Sequence, residues 1–107
     1  MTFFASTPPW GMADAIQYTV PTTGTTVAMV PGASALVLNP AGTLAALTVT
    51  LPAAPIDGQR VTITSGAIIT ALTINGGTVN GIITALAANG FARFIFSSTA
   101  GAWFRTG

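Results

Sequence analysis

From residue 34 onward, apolar and polar residues alternate at period two in short runs broken by turn residues, which is the pattern of half-buried β-strands. Leu36-Val37-Leu38 ends at the turn Asn39-Pro40-Ala41-Gly42. Leu47, Val49 and Leu51 then fall on one side of a strand and Thr48 and Thr50 on the other. Pro52-Ala53-Ala54-Pro55 ends it, and Ile56-Asp57-Gly58 predicts the turn into Arg60-Val61-Thr62-Ile63-Thr64. Further strands are predicted over 67–75 and 78–86, separated by Gly76-Gly77, and then over 91–96 and 102–105. Short strands with regular turns and no alternating helices predict an all-β protein: a compact antiparallel β-sandwich or barrel-like domain with an extended N-terminal arm. Ala46-Leu47-Thr48-Val49 recurs as Ala71-Leu72-Thr73-Ile74, a hint of stacked solenoid coils, although two copies of four common residues do not displace the sandwich or barrel expectation.

The strand over 91–96 places Ala92, Phe94 and Phe96 on one face and Phe91, Arg93 and Ile95 on the other, so both faces are largely apolar. In so small a domain the second face is expected to press against another subunit, and Arg93 among apolar neighbours needs a carboxylate or carbonyl partner. The segment approaches the aromatic RNA-binding strand of the RRM, but Arg93 shifts the later aromatics to the opposite face, and RNA binding is not expected.

Residues 1–32 have a different character. Pro8, Pro9, Pro21 and Pro31 restrict the backbone and remove donors, and Thr22-Thr23-Gly24-Thr25-Thr26 reads as a linker or turn. The division expected is an arm at 1–32 and a β-domain at 33–107. Asp14-Ala15-Ile16-Gln17-Tyr18 could form one helical turn, stopped by Pro21. Phe3, Phe4, Trp10 and Tyr18 make the arm rich in large apolar groups, which suits docking onto a partner subunit or a larger assembly. With Phe91, Arg93 and Ile95 they are the candidate contact residues.

Composition narrows the function. Half of the 107 residues are hydrophobic and 5% are charged, against roughly 25% in an ordinary soluble domain. That surface calls for cover, and burial between subunits in a closed homo-oligomer is the expected form of it. A net charge of +1 supplies no field to gather nucleic acid or anionic lipid. Thr, Asn, Gly and Pro interrupt every apolar run, so no spanning helix is predicted. The N-terminus lacks the basic and apolar regions of a secretory signal, and synthesis in the cytoplasm is expected.

Catalysis has little to work with. The chain holds no Cys, His, Glu or Lys, and Asp14 and Asp57 are its only carboxylate side chains. Serine and threonine therefore lack an ordinary base, metal sites lack ligands, and no phosphate-cradling loop is present, so neither catalytic residues, cofactor nor metal is expected. Asp57-Gly58 reads as turn chemistry and Asp14 as a local cap. Threonine-rich strand faces raise ice or carbohydrate binding, but the Thr spacing looks too irregular for a ladder of hydroxyls.

Three stretches carry a family resemblance: Leu51-Pro52-Ala53-Ala54-Pro55-Ile56-Asp57-Gly58-Gln59-Arg60-Val61-Thr62-Ile63, Leu72-Thr73-Ile74-Asn75-Gly76-Gly77, and Trp103-Phe104-Arg105-Thr106-Gly107. From Leu38 onward the chain resembles a small β-domain of tailed-bacteriophage virion proteins, the capsid decoration (cement) proteins and tail-fibre modules. The resemblance implies a non-enzymatic part of the particle, made in the host cytoplasm and located in the virion, that commonly acts as a trimer without a cofactor. Because the β-domain follows only a short arm, a decoration protein bound to the major capsid protein is expected ahead of a tail or fibre component. A glycan-binding adhesin using Trp10, Trp103 or Tyr18 is the expectation from another class.

Overall fold

Stretches of Val, Ile, Leu and Thr, each too short for a helix and bounded by Pro or Gly, form nine strands and no helix in the computed structural model, which describes residues 16–107. They are β1 (Ile16–Thr19), β2 (Thr26–Ala28), β3 (Ala35–Leu38), β4 (Leu47–Thr50), β5 (Arg60–Ser65), β6 (Leu72–Asn75), β7 (Thr78–Asn80), β8 (Gly90–Ser97) and β9 (Ala102–Arg105). The all-β expectation holds.

The arrangement differs from a sandwich or barrel of antiparallel strands. From β1 to β6 successive strands alternate between two sheets, a six-stranded one in the order β1-β3-β5-β8-β9-β7 and a three-stranded one in the order β2-β4-β6. Pairings β1–β3–β5 and β2–β4–β6 are all parallel, so the chain winds through three stacked coils, each crossing from one sheet to the other and back. A narrow third side is formed where Leu44 bridges Ile69 in parallel and Ile69 bridges Leu86 in the antiparallel sense. Parallel strands need a long crossover, and here the opposite sheet is the crossover. The solenoid-like stack ends at β8, which adds antiparallel to β5, and β9, which adds antiparallel to β8, and β7 pairs parallel with β9 at the far edge.

The short repeat maps onto this winding. Leu47 pairs with Leu72, Thr48 with Thr73 and Val49 with Ile74, so equivalent residues of consecutive coils lie side by side. Between the sheets, Leu36, Leu38, Val61, Ile63, Ala92 and Phe94 meet Leu47, Val49, Leu72 and Ile74 in one core, with Trp103 packed edge-on against Phe96 at 5.3 Å.

Residues 16–28 are not an arm. The first coil is built from β1 and β2, hydrogen-bonded to β3 and β4, so the solenoid begins well before residue 33. The helical turn expected around Asp14 to Tyr18 is replaced over residues 16–18 by β1, because pairing with β3 satisfies the backbone groups that a single helical turn would leave open. The strands expected over 67–75 and 78–86 are each cut short. Only Ile69 and Leu86 keep bridge partners outside β6 and β7, and Gly81 turns the chain at φ +81° after Asn80.

Gln17 occupies an inward position of the first coil, where Leu36 and Ile63 stand in the next two. Its Nε2 donates to Ala28 O at 2.9 Å and its Oε1 accepts from Val30 N at 2.9 Å, so one amide ties the two sheets together at the open end of the stack.

Candidate binding face

Strand alternation gives the six-stranded sheet an outward face, and pairing registers arrange that face in rows. One row runs Tyr18, Val37, Thr64, Phe91; the next runs Ile16, Ala35, Thr62, Arg93; a third runs Arg60, Ile95, Phe104, Asn80. At about 4.8 Å between strands the face is roughly 24 Å wide. Ile16, Tyr18 and Phe91 are more than half exposed, at 66%, 60% and 51%, and Phe104 is exposed at 39%. Val37 and Ile95 between them are half-buried. Large apolar side chains thus stand in solvent on a continuous surface.

The parity read for β8 is the one observed: Ala92 and Phe94 are fully buried and Phe96 is partly buried against the core, while Phe91, Arg93 and Ile95 point outward. The face brings those three together, with Tyr18 lying three strands away. Phe3, Phe4 and Trp10 lie outside the described residues, as does Asp14. Arg93 extends over the Phe91 ring, its guanidinium carbon 5.0 Å from the centroid, a cation–π contact that holds the side chain in place. Neither a carboxylate nor a carbonyl partner, as expected for the Arg93 side chain, is found among the described residues; its backbone N donates to Gly107 O at 3.3 Å and its O accepts from Thr106 N at 2.8 Å.

Arg60 was not singled out in the sequence, yet it shares this face. It lies opposite Ile95, diagonal to Arg93 across the β5–β8 pair, and both arginines line a recess of about 230 Å³ with Thr62, Ile95 and Thr106. The signal available in the sequence was parity: Arg60, Thr62 and Thr64 share one side of their strand. Pairing with β8 rather than with a sequence neighbour put that side beside Arg93. A second, shallower recess lies near Tyr18, where Asn39 Nδ2 donates to Tyr18 Oη at 2.8 Å.

Asp57 is a turn residue, as its neighbour Gly58 suggested. Its Oδ1 accepts from Ser98 N at 2.8 Å, and Gly58 N donates to Phe96 O at 2.8 Å, pinning the turn before β5 to the end of β8. No group of three or more metal-binding side chains occurs among the described residues. Trp103 is 1% exposed, so it offers no platform to a sugar; its Nε1 has no hydrogen-bond partner among the described residues.

On the three-stranded sheet, the irregular Thr spacing conceals a short ladder: Thr26, Thr48 and Thr73 are in register. Coils of unequal length hide this alignment in the sequence. The adjacent column is Ala28, Thr50 and Asn75, so the hydroxyls do not extend into a two-dimensional array. No protein-family model matches the chain, and no curated protein matches it either.

Proposed function

We propose that this chain is a non-enzymatic structural protein of a tailed-bacteriophage virion, a capsid decoration protein that acts as a homotrimer and strengthens the shell by binding the major capsid protein. The observation that carries the reading is the outward face of the six-stranded sheet, where Ile16, Tyr18, Phe91 and Phe104 are exposed on a chain with 5% charged residues. A broad apolar sheet face is suited to seating against another flat protein surface. At ~25 cal/mol per Å², burying ~400 Å² of apolar surface per subunit contributes ~10 kcal/mol before the entropy of association is subtracted. Several subunits acting together multiply the hold on the shell. The action is mechanical: a cluster that bridges capsomers must be peeled away before they separate under internal pressure.

Particles purified from the phage whose genome encodes this chain provide the test. The chain is expected in fixed ratio to the major capsid protein, with antibody label on the head, and its removal should lower the temperature at which particles release their genome. Label confined to the tail would replace this reading with that of a tail or fibre component, and absence from the particle would overturn it.

A further inference from the structure

The two arginines on the outward face form the least ordinary arrangement in the molecule. Arg93 lies opposite Thr62, and Arg60 opposite Ile95, so the pair occupy diagonal positions on one side of β5 and β8, with side chains within reach of the same recess. Diagonal positions of this kind are about 7 Å apart, near enough for two guanidinium groups to repel each other or to share one anion. Asp57 is the only carboxylate side chain among the described residues, and its Oδ1 already accepts from Ser98 N; Gly107 packs against the Arg93 side chain, and its O accepts from Arg93 N at 3.3 Å without forming an ion pair to the guanidinium. The recess therefore combines two cations with the hydroxyl-bearing Thr62 and Thr106, beside the apolar Ile95.

Three features specify what fits. Stacking on Phe91 restrains Arg93 before anything binds, which lowers the ordering cost of engaging a planar acceptor. Ile95 in the recess wall, with Phe104 paired beside it and Phe91 beneath the Arg93 guanidinium on the same face, limits hydration of a bound ion and favours an acid carried on an apolar surface. Two arginines on a chain of net charge +1 suit one carboxylate, not a polyphosphate backbone, whose binding draws on many cations. The same face of a second copy is a poor occupant, since it would oppose guanidinium to guanidinium with no acidic side chain in the observed rows.

Resting on the virion reading for the identity of the partner, we infer that the recess between Arg60 and Arg93 seats a single Asp or Glu carboxylate presented by an apolar surface of the shell protein. The apolar face supplies contact area, and the arginine pair sets its register. Binding through one buried carboxylate makes the complex specific for an acid at one place on the partner.

The isolated full chain, isotope-labelled so that the arginine Nε–Hε signals are resolved, can be titrated with phenylacetate, with neutral phenylacetamide and inorganic phosphate as comparisons. Arg60 and Arg93 signals are expected to shift saturably with phenylacetate and not with phenylacetamide. Arg60→Gln and Arg93→Gln should each weaken binding about tenfold, and Arg105→Gln, which removes the same charge outside the recess, less than about twofold. Unchanged thermal midpoints in the variants establish that they remain folded. No saturable shift, an equal response to phenylacetamide, or equal weakening by all three substitutions would overturn the inference. Tighter binding of phosphate than of phenylacetate would also overturn it, pointing to a phosphorylated partner. Stronger binding of phenylacetate by an Asp14→Asn chain, or by a chain amidated at Gly107, would overturn it too, because a carboxylate of the chain itself would then be what fills the recess. None of these readouts depends on virions, so failure here leaves the decoration reading standing, and loss of that reading leaves the carboxylate seat to be judged by titration alone.

Discussion

Gly76 is the residue whose identity the backbone most plainly demands. It adopts φ +137°, and a Cβ there would lie 2.7 Å from Leu51 Cβ and 3.2 Å from Leu51 N, where β6 turns out of its sheet beside the end of the preceding coil. Neither the dihedral nor the contact can relax without moving backbone of the adjacent coil. Gly58, at φ +81°, has nothing within 4 Å of the same hypothetical atom. Gly76→Ala is expected to lower unfolding stability by about 3 kcal/mol, combining strain with overpacking, and Gly58→Ala by about 1 kcal/mol from strain alone. Urea unfolding of the two variants checks the difference. A smaller loss at Gly76 than at Gly58 would mean that the close approach to Leu51 is not a real constraint.

At the scale of elements, the first coil is the part held least by hydrophobic packing. β1 has Ile16 and Tyr18 exposed, and β2 contributes three residues of which Val27 alone is partly buried against the core. Gln17 compensates by joining the coil across its interior, with two 2.9 Å hydrogen bonds to the β2 end. Replacing Gln17 with Ala leaves Ala28 O and Val30 N without those partners and should cost about 1 to 2 kcal/mol. The loss is expected to be local, because β5 and β8 pair over six residues at the centre of the other sheet. Hydrogen exchange should therefore quicken in β1 and β2 of Gln17→Ala while β5 and β8 stay protected. Uniform loss of protection would show that the coils unfold as one unit.

For the whole molecule, the uneven placement of exposed apolar groups matters more than their number. Ile16, Tyr18, Val20 and Val30 all belong to the first coil or its flanks, at the end of the stack where β1 and β2 each leave one edge unpaired among the described residues. The arginine recess lies towards the other side of the six-stranded sheet, between β5 and β8. Self-association through the first coil would cover an open edge and leave the recess free for a different partner. Light scattering is expected to return a mass that is a multiple of 10.7 kDa, three being the number proposed. The double variant Val20→Asp, Val30→Asp, which leaves the outward sheet face untouched, should fall to the single-chain mass, since charge on that surface opposes its desolvation. A wild-type monomer at micromolar concentration would remove the trimer from the proposal.

Period-two alternation over residues such as 47–51 and 91–96 was enough, by itself, to determine strands, their inward and outward faces, and most of the core, because the side-chain period of a strand is local and burial follows it. It was also enough to place Phe91, Arg93 and Ile95 together on an outward face. Alternation is silent about direction, however. One solvated face is the habit of antiparallel sheets, and parallel sheets are usually covered on both sides, so the pattern pointed to a sandwich. In this protein the parallel sheets are each covered on one side by the other, an arrangement that long-range pairings such as Ala35 with Thr62 establish and no local stretch encodes. The repeat at Leu47 and Leu72 was the one local trace of that winding, and unequal coils blurred it elsewhere. Only the tertiary structure decided that β1 is a strand and that Arg60 faces the same recess as Arg93. Both depend on which distant segment supplies the hydrogen-bonding edge, and that choice is made by packing the shared core.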